Sequence, residues 1–232
     1  PDPPAPPPMK LPFIVLAIVL LAPAPLVARV SLRIGGNAPV VLEAAGGAVV
    51  HAGDYRVNGI EARVEVFAFK DAQPGLAASL LRRFGLEPGA AADAAMVRLP
   101  AKYGRAWLLT LPGMTADVAS AMLVQAEGDL AAGAPQWPFP DIALTPGLAL
   151  DFSGTSRASG LSVCTGRHEL QAGAAMQVVA GQFSRAGWTA ATPAADKVSA
   201  VLFTRGDDVA LVCAVPRESG SALLIMKRDR SR

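Results

Sequence analysis

Twice along this chain a strand-like alternation is followed by an amphipathic helical stretch, a glycine stop and three further apolar runs. That recurring order restricts the fold more than any other feature. In the first copy Ala62–Phe69 alternates as a strand does, with Val64 and Val66 on one side. Gln73–Phe84 then places Leu76, Leu80, Leu81 and Phe84 on one helical face and Arg82 and Arg83 on the other, and Gly85 stops it. Met96–Leu99, Ala106–Leu111 and Val118–Val124 read as three strands, separated by turns at Tyr103-Gly104 and Pro112-Gly113.

The second copy opens with a strand at Leu161–Thr165 and a helix over Gln171–Ala186 that carries Met176, Val179, Ala180 and Phe183 on one face. Gly187 closes it, and strands are expected at Ser199–Thr204, Val209–Val215 and Ala222–Lys227. Both helices open on Gln-x-Gly and carry a large aromatic near the closing glycine; both third strands end in proline. We read this as an internal duplication. The fold class predicted is α+β, two tandem β-α-β-β-β modules, each a helix packed on its own antiparallel sheet. The organisation that follows is 1–28, proline tract plus signal peptide or membrane anchor; 29–58, extended lead-in; 59–130, first module; 131–156, proline-rich connector; and 157–232, second module with a basic tail.

Location is carried by Lys10–Ala28, one positive charge followed by an almost unbroken apolar run. It reads as an export signal with Met9-Lys10 as the basic region and Leu11–Leu21 as the apolar region. A retained anchor is the alternative, since the run approaches the roughly 20 residues a membrane span needs. Proline at 12, 23 and 25 limits the regular helix in either case. The PDPPAPPP tract before Met9 reads as sequence upstream of the true start. The expected location is therefore exported, periplasmic or anchored facing the periplasm.

A net charge of +2 with scattered Lys and Arg gives no electrostatic case for nucleic acid, and 6% aromatic residues give no stacking platform for bases. The two histidines, His51 and His168, lack metal-ligand spacing. There is no nucleophile elbow, and IGGN at Ile34 lacks phosphate-loop spacing. Ser153, Ser156 and Ser159 read as a solvated loop, and Asp207-Asp208 as hairpin-turn chemistry rather than an acid–base pair. No catalytic residue, metal or cofactor is predicted.

Cys164 and Cys213 are the only cysteines, both in expected strands, and are candidates for a disulfide in an exported protein. The bond forms only if their strands are neighbours; with another strand between them they remain buried thiols. Trp137 and Phe139, interleaved with proline in the connector, are the candidate interaction residues. Together these features predict a non-enzymatic exported or membrane-tethered interaction or scaffold protein of the cell envelope, accessory to a secretion or surface-assembly system, with a protein partner. The alternative is a periplasmic ligand-binding or inhibitor protein whose site lies between the two modules.

Overall fold

Glycine and asparagine punctuate the hairpins from which this fold is built. In the computed structural model, which describes residues 37–70, 75–87, 96–115, 118–156, 158–191 and 200–229, a short helix α1 (Ala38–Ala44) leads into strands β1 (Gly47–Val57) and β2 (Ile60–Lys70). Asn58 and Gly59 join the strands with φ of 47° and 84°. This left-handed pair makes the two-residue turn whose twist matches that of the strands it connects. The chain continues through α2 (Leu76–Arg83), β3 (Met96–Arg98), β4 (Ala106–Thr115) and β5 (Val118–Ala126). After the proline-rich connector come β6 (Leu148–Thr155), β7 (Leu161–His168), α3 (Ala172–Arg185), β8 (Thr189–Ala190), β9 (Ala200–Arg205), β10 (Asp208–Pro216) and β11 (Ser221–Arg228). The apolar run at Lys10–Ala28 lies outside the described residues, and among them no helix is long and apolar enough to cross a membrane.

Helices α2 and α3 end alike. The amide of Leu86 bonds back to Leu81 O and that of Gly85 to Arg82 O; Trp188 bonds to Phe183 O and Gly187 to Ser184 O. Gly85 and Gly187 hold φ of 78° and 81°, which only a residue without Cβ adopts cheaply. In the second half this cap has a further effect: it turns Trp188 back over α3.

The strands form a single antiparallel sheet in the order β3-β4-β5-β2-β1-β6-β7-β11-β10-β9-β8. This overturns the expectation of two tandem β-α-β-β-β modules, each with its own sheet. Each half begins one strand earlier than the sequence pattern suggested, because β1 lies in the expected lead-in and β6 in the expected connector. Those two extra strands pair with each other. Arg56 faces Thr155 and Val57 faces Gly154, while Asn58 and Ser153 exchange bonds through Asn58 N to Ser153 O and Ser153 N to Asn58 Oδ1, both at 2.9 Å. At these few residues the two edges cover each other's amides and carbonyls. Counted outward from this junction, the order is β1-β2-β5-β4-β3 on one side and β6-β7-β11-β10-β9-β8 on the other.

One side of the sheet carries the helices. Leu42, Leu80, Leu81 and Phe84 pack there on Phe67, Phe69, Leu108 and Leu123 of the first half. In the second half, Met176, Val179 and Phe183 pack on Val201, Phe203, Val212 and Ile225. The other side carries no α-helix among the described residues, yet its apolar side chains are shut from solvent. Val57, Val64, Leu109 and Val124 join Phe152, Val163, Leu211 and Cys213 in one apolar cluster that spans both halves. Burial this complete needs a second apolar layer. Leu130, from the short 3-10 turn Leu130–Ala132, contributes there, and the two halves whose residues share the cluster are joined between β1 and β6 by only two residue pairs.

Candidate functional site

The densest group of functional side chains gathers where β9 ends and β10 begins, on the helix-bearing side. Lys227 sits near the end of β11, in register with Leu223 and Ile225, so strand alternation points it into the core. It is 2% exposed. An ammonium there requires partners, because an unpaired buried charge is costly. Asp141 Oδ1 meets Lys227 Nζ at 2.7 Å and Asp229 Oδ1 meets it at 2.9 Å. Asp141 Oδ2 accepts from Arg205 Nη2 at 2.6 Å, and Arg205 also reaches Asp208 at 3.6 Å. The Trp188 ring, set by the α3 cap, lies 4.6 Å from the Arg205 guanidinium and 5.9 Å from Lys227 Nζ. Burial pushes the Asp141 carboxyl up, but Lys227 by hydrogen bond and charge, together with Arg205, outweighs it and holds the group below the ordinary carboxylate range. An acid held ionised between two cations is a poor proton donor. This network's chemistry is adhesion: it pins the connector at Asp141 to the ends of β9 and β11.

Trp137 and Phe139, the candidate interaction residues, belong to the same anchorage. Their rings meet edge to face at 4.9 Å. Trp137 Nε1 donates to Ile142 O at 2.6 Å, and Phe139 is fully buried in the cluster beneath α3. Phe139 therefore offers no contact surface to a partner, and Trp137 is half-buried with its polar hydrogen already used.

The cysteines are both free and buried. β11 lies between β7 and β10, and Cys164 belongs to the helix-side cluster while Cys213 belongs to the cluster on the opposite side. The neighbouring-strand condition for a disulfide is not met. Burial pushes the Cys213 thiol up to about 12 and the Cys164 thiol higher still, so neither supplies a thiolate at neutral pH.

The histidines are both buried as well. His168 Nδ1 accepts from Leu170 N at 3.0 Å, which leaves the hydrogen on Nε2 for Pro146 O at 2.9 Å. Both ring nitrogens are satisfied by backbone. His51 Nε2 and Tyr55 Oη lie 2.7 Å apart on the helix-free side. Ser153 Oγ accepts from Gln136 N, and Ser159 Oγ from Leu161 N. Asp207 stands exposed in the β9–β10 turn, and Asp208 faces Arg205. Among the described residues no group of three His, Cys, Asp or Glu side chains is placed to hold a metal ion.

Sequence reasoning missed the Asp141–Lys227–Arg205 network. A signal for it existed: Lys227 occupies the buried parity of an otherwise apolar strand and so demands a carboxylate. The carboxylate that answers is 86 residues away. Comparison with protein-family models, curated proteins and solved structures finds no match to this chain.

Proposed function

We propose that this chain is a non-enzymatic interaction protein of the cell envelope, exported or tethered through its N-terminal segment, that meets a protein partner at the ends of its sheet. The observation that carries the reading is the closed core. The helix-free side of both halves is lined by one cluster of buried apolar side chains, so it presents no open apolar face to a ligand. A ligand site near Trp137 and Phe139 is disfavoured on the same ground, since Phe139 is sunk beneath α3. The faces of the sheet being occupied, its two ends are what it offers. At one end β3 pairs with only Trp107, Leu108 and Leu109 of β4, and at the other β8 pairs with only Phe203 and Thr204 of β9. Among the described residues each of these strands has a neighbour on one side only, and an open strand edge is where a partner's strand is added. Export rests on the Lys10–Ala28 run.

The test is a photo-crosslinking residue placed at Val97 in β3, at Ala190 in β8, or at exposed Gln177 on α3, in cells expressing the full chain. Adducts of one defined mass at an edge position and none at Gln177 are expected. A C-terminal reporter active only outside the cytoplasm should be active, and silent once residues 9–28 are deleted. Adducts at neither edge, or turnover of a substrate by purified protein that one polar substitution abolishes, would refute the reading.

A further inference from the structure

Strand β1 spans 11 residues, yet its outward neighbour β6 covers only Arg56 and Val57. β6 ends at Thr155, and the chain then turns toward β7, Ser156 N bonding to Leu161 O at 2.8 Å. Which groups this leaves bare follows from the β1–β2 hairpin. Its two-residue turn makes Val57 and Ile60 a pair that exchanges both backbone bonds, so Tyr55 and Gly53 likewise bond inward to β2. Arg56, Asp54 and Ala52 then turn their amides and carbonyls outward; the bond from Asn58 N to Ser153 O has the same parity. Arg56 has Thr155 opposite it, but among the described residues no strand lies opposite Asp54 and Ala52 on that side. Both residues are exposed, and the Asp54 side chain is 86% exposed although it reaches Arg63 at 3.6 Å. The long strand β1 thus keeps an open edge within the strand order, where the two ends of the sheet carry only the short strands β3 and β8.

We propose that the open edge of β1 is a docking site for residues 29–34 of this same chain, which add to it as a further strand. That segment, outside the described residues, reads Arg-Val-Ser-Leu-Arg-Ile, with Val30, Leu32 and Ile34 alternating against Ser31 and Arg33. The period matches the edge. On β1, His51, Gly53 and Tyr55 face the helix-free side with its apolar cluster, and Ala52 and Asp54 face the other. An added strand in this sense sets its three apolar residues beside the rings of His51 and Tyr55, and sets Ser31 and Arg33 beside small Ala52 and acidic Asp54. The segment is also tethered close by. Three residues, Gly35 to Asn37, separate it from α1, and Ala45-Gly46 separates α1 from β1. α1 lies against the start of β1, where Leu42 O is 2.9 Å from the position a Cβ would take on Gly47. A three-residue link spans up to about 10 Å, roughly two strand spacings, and Gly35-Gly36 gives it the freedom to reverse. A tether this short presents the strand at an effective concentration of about millimolar, ahead of a separate chain. Docking closes an edge that would otherwise template pairing with another protein.

Amide hydrogen exchange of the full chain, read residue by residue by NMR, tests this at Ala52 and Asp54. Both amides should exchange about a hundredfold or more slower than in an unstructured chain. Leu32→Pro removes a strand donor, and Arg33→Asp sets like charge beside Asp54. Each should cut that protection about tenfold or more, while the Tyr55 amide, bonded inward to β2, keeps its own. The reversed pair, Arg33→Asp with Asp54→Lys, should restore most of what Arg33→Asp alone loses. Exchange at the unstructured rate at Ala52 and Asp54 in the parent chain, or protection that neither variant lowers, overturns the proposal. Protection that fades on dilution overturns it as well, because the occupant is then a second copy.

Discussion

Replacing Lys227 with methionine removes one charge and keeps most of the apolar stem, so it measures the network at Asp141 with little loss of packing. The starting point is a side chain 3% exposed, with carboxylate oxygens at 2.7 and 2.9 Å. Breaking a buried ion pair by removing one partner costs about 3–5 kcal/mol, mostly the penalty of the charge left behind. Here the abandoned carboxylates keep some water, with side-chain exposures of 28% at Asp141 and 18% at Asp229, and Arg205 still holds Asp141. The expected loss is therefore at or below the lower end, about 2–3 kcal/mol. Urea unfolding at pH 7 reads it directly, followed by tryptophan fluorescence because Trp188 lies against both cations. The double variant with Asp141→Ala should lose less than the sum of the singles by about 1 kcal/mol or more, the mark of direct coupling. A pH series gives a second reading. A carboxyl held low in the fold contributes stability that is fully present above its unfolded value near 3.8 and is lost as pH falls through its folded value. In Lys227→Met that acid-side loss should shrink. A stability within about 0.5 kcal/mol of the parent, or strict additivity in the double variant, would show that the network holds nothing.

Phe139→Ala should cost about 3–5 kcal/mol in the same assay and open the connector near residues 134–147 to proteolysis, because a fully buried ring beneath α3 leaves a cavity. Gly166→Ala should destabilise by about 1–3 kcal/mol, since the added Cβ would meet Ala149 O at 2.5 Å and Leu148 Cδ1 at 2.8 Å. Gly181→Ala in α3, where the nearest contact is Arg185 Nη2 at 3.5 Å, should instead be neutral or stabilising by up to about 1 kcal/mol. Cys164 and Cys213 should resist a thiol-reactive probe in the native protein and both react once it is unfolded; an intact mass two daltons short of the reduced chain would contradict the free thiols.

Local pattern carried far in this chain, and it stopped where strands choose neighbours. Leu80, Leu81 and Phe84, or Met176, Val179 and Phe183, fall on one helical face because of their spacing, and Gly85 and Gly187 end those helices because a left-handed residue is needed there. Such features are written within a dozen residues. Asn58-Gly59 was equally legible as a hairpin signal, and reading it would have recovered β1 from the presumed lead-in. Strand pairing is different, because a backbone edge presents the same amides and carbonyls whatever its side chains. Nothing local distinguishes two separate sheets from a single sheet in which β1 pairs with β6. Nor does anything local reveal that β11 lies between β7 and β10, which leaves the two thiols on different strands and opposite sides. Phe139 reads as an interaction candidate within a proline-rich connector, yet the return of the connector to α3 buries it. Lys227 announced by its parity that it needed an anion. Only the closing of the chain over 86 residues determined that the anion is Asp141.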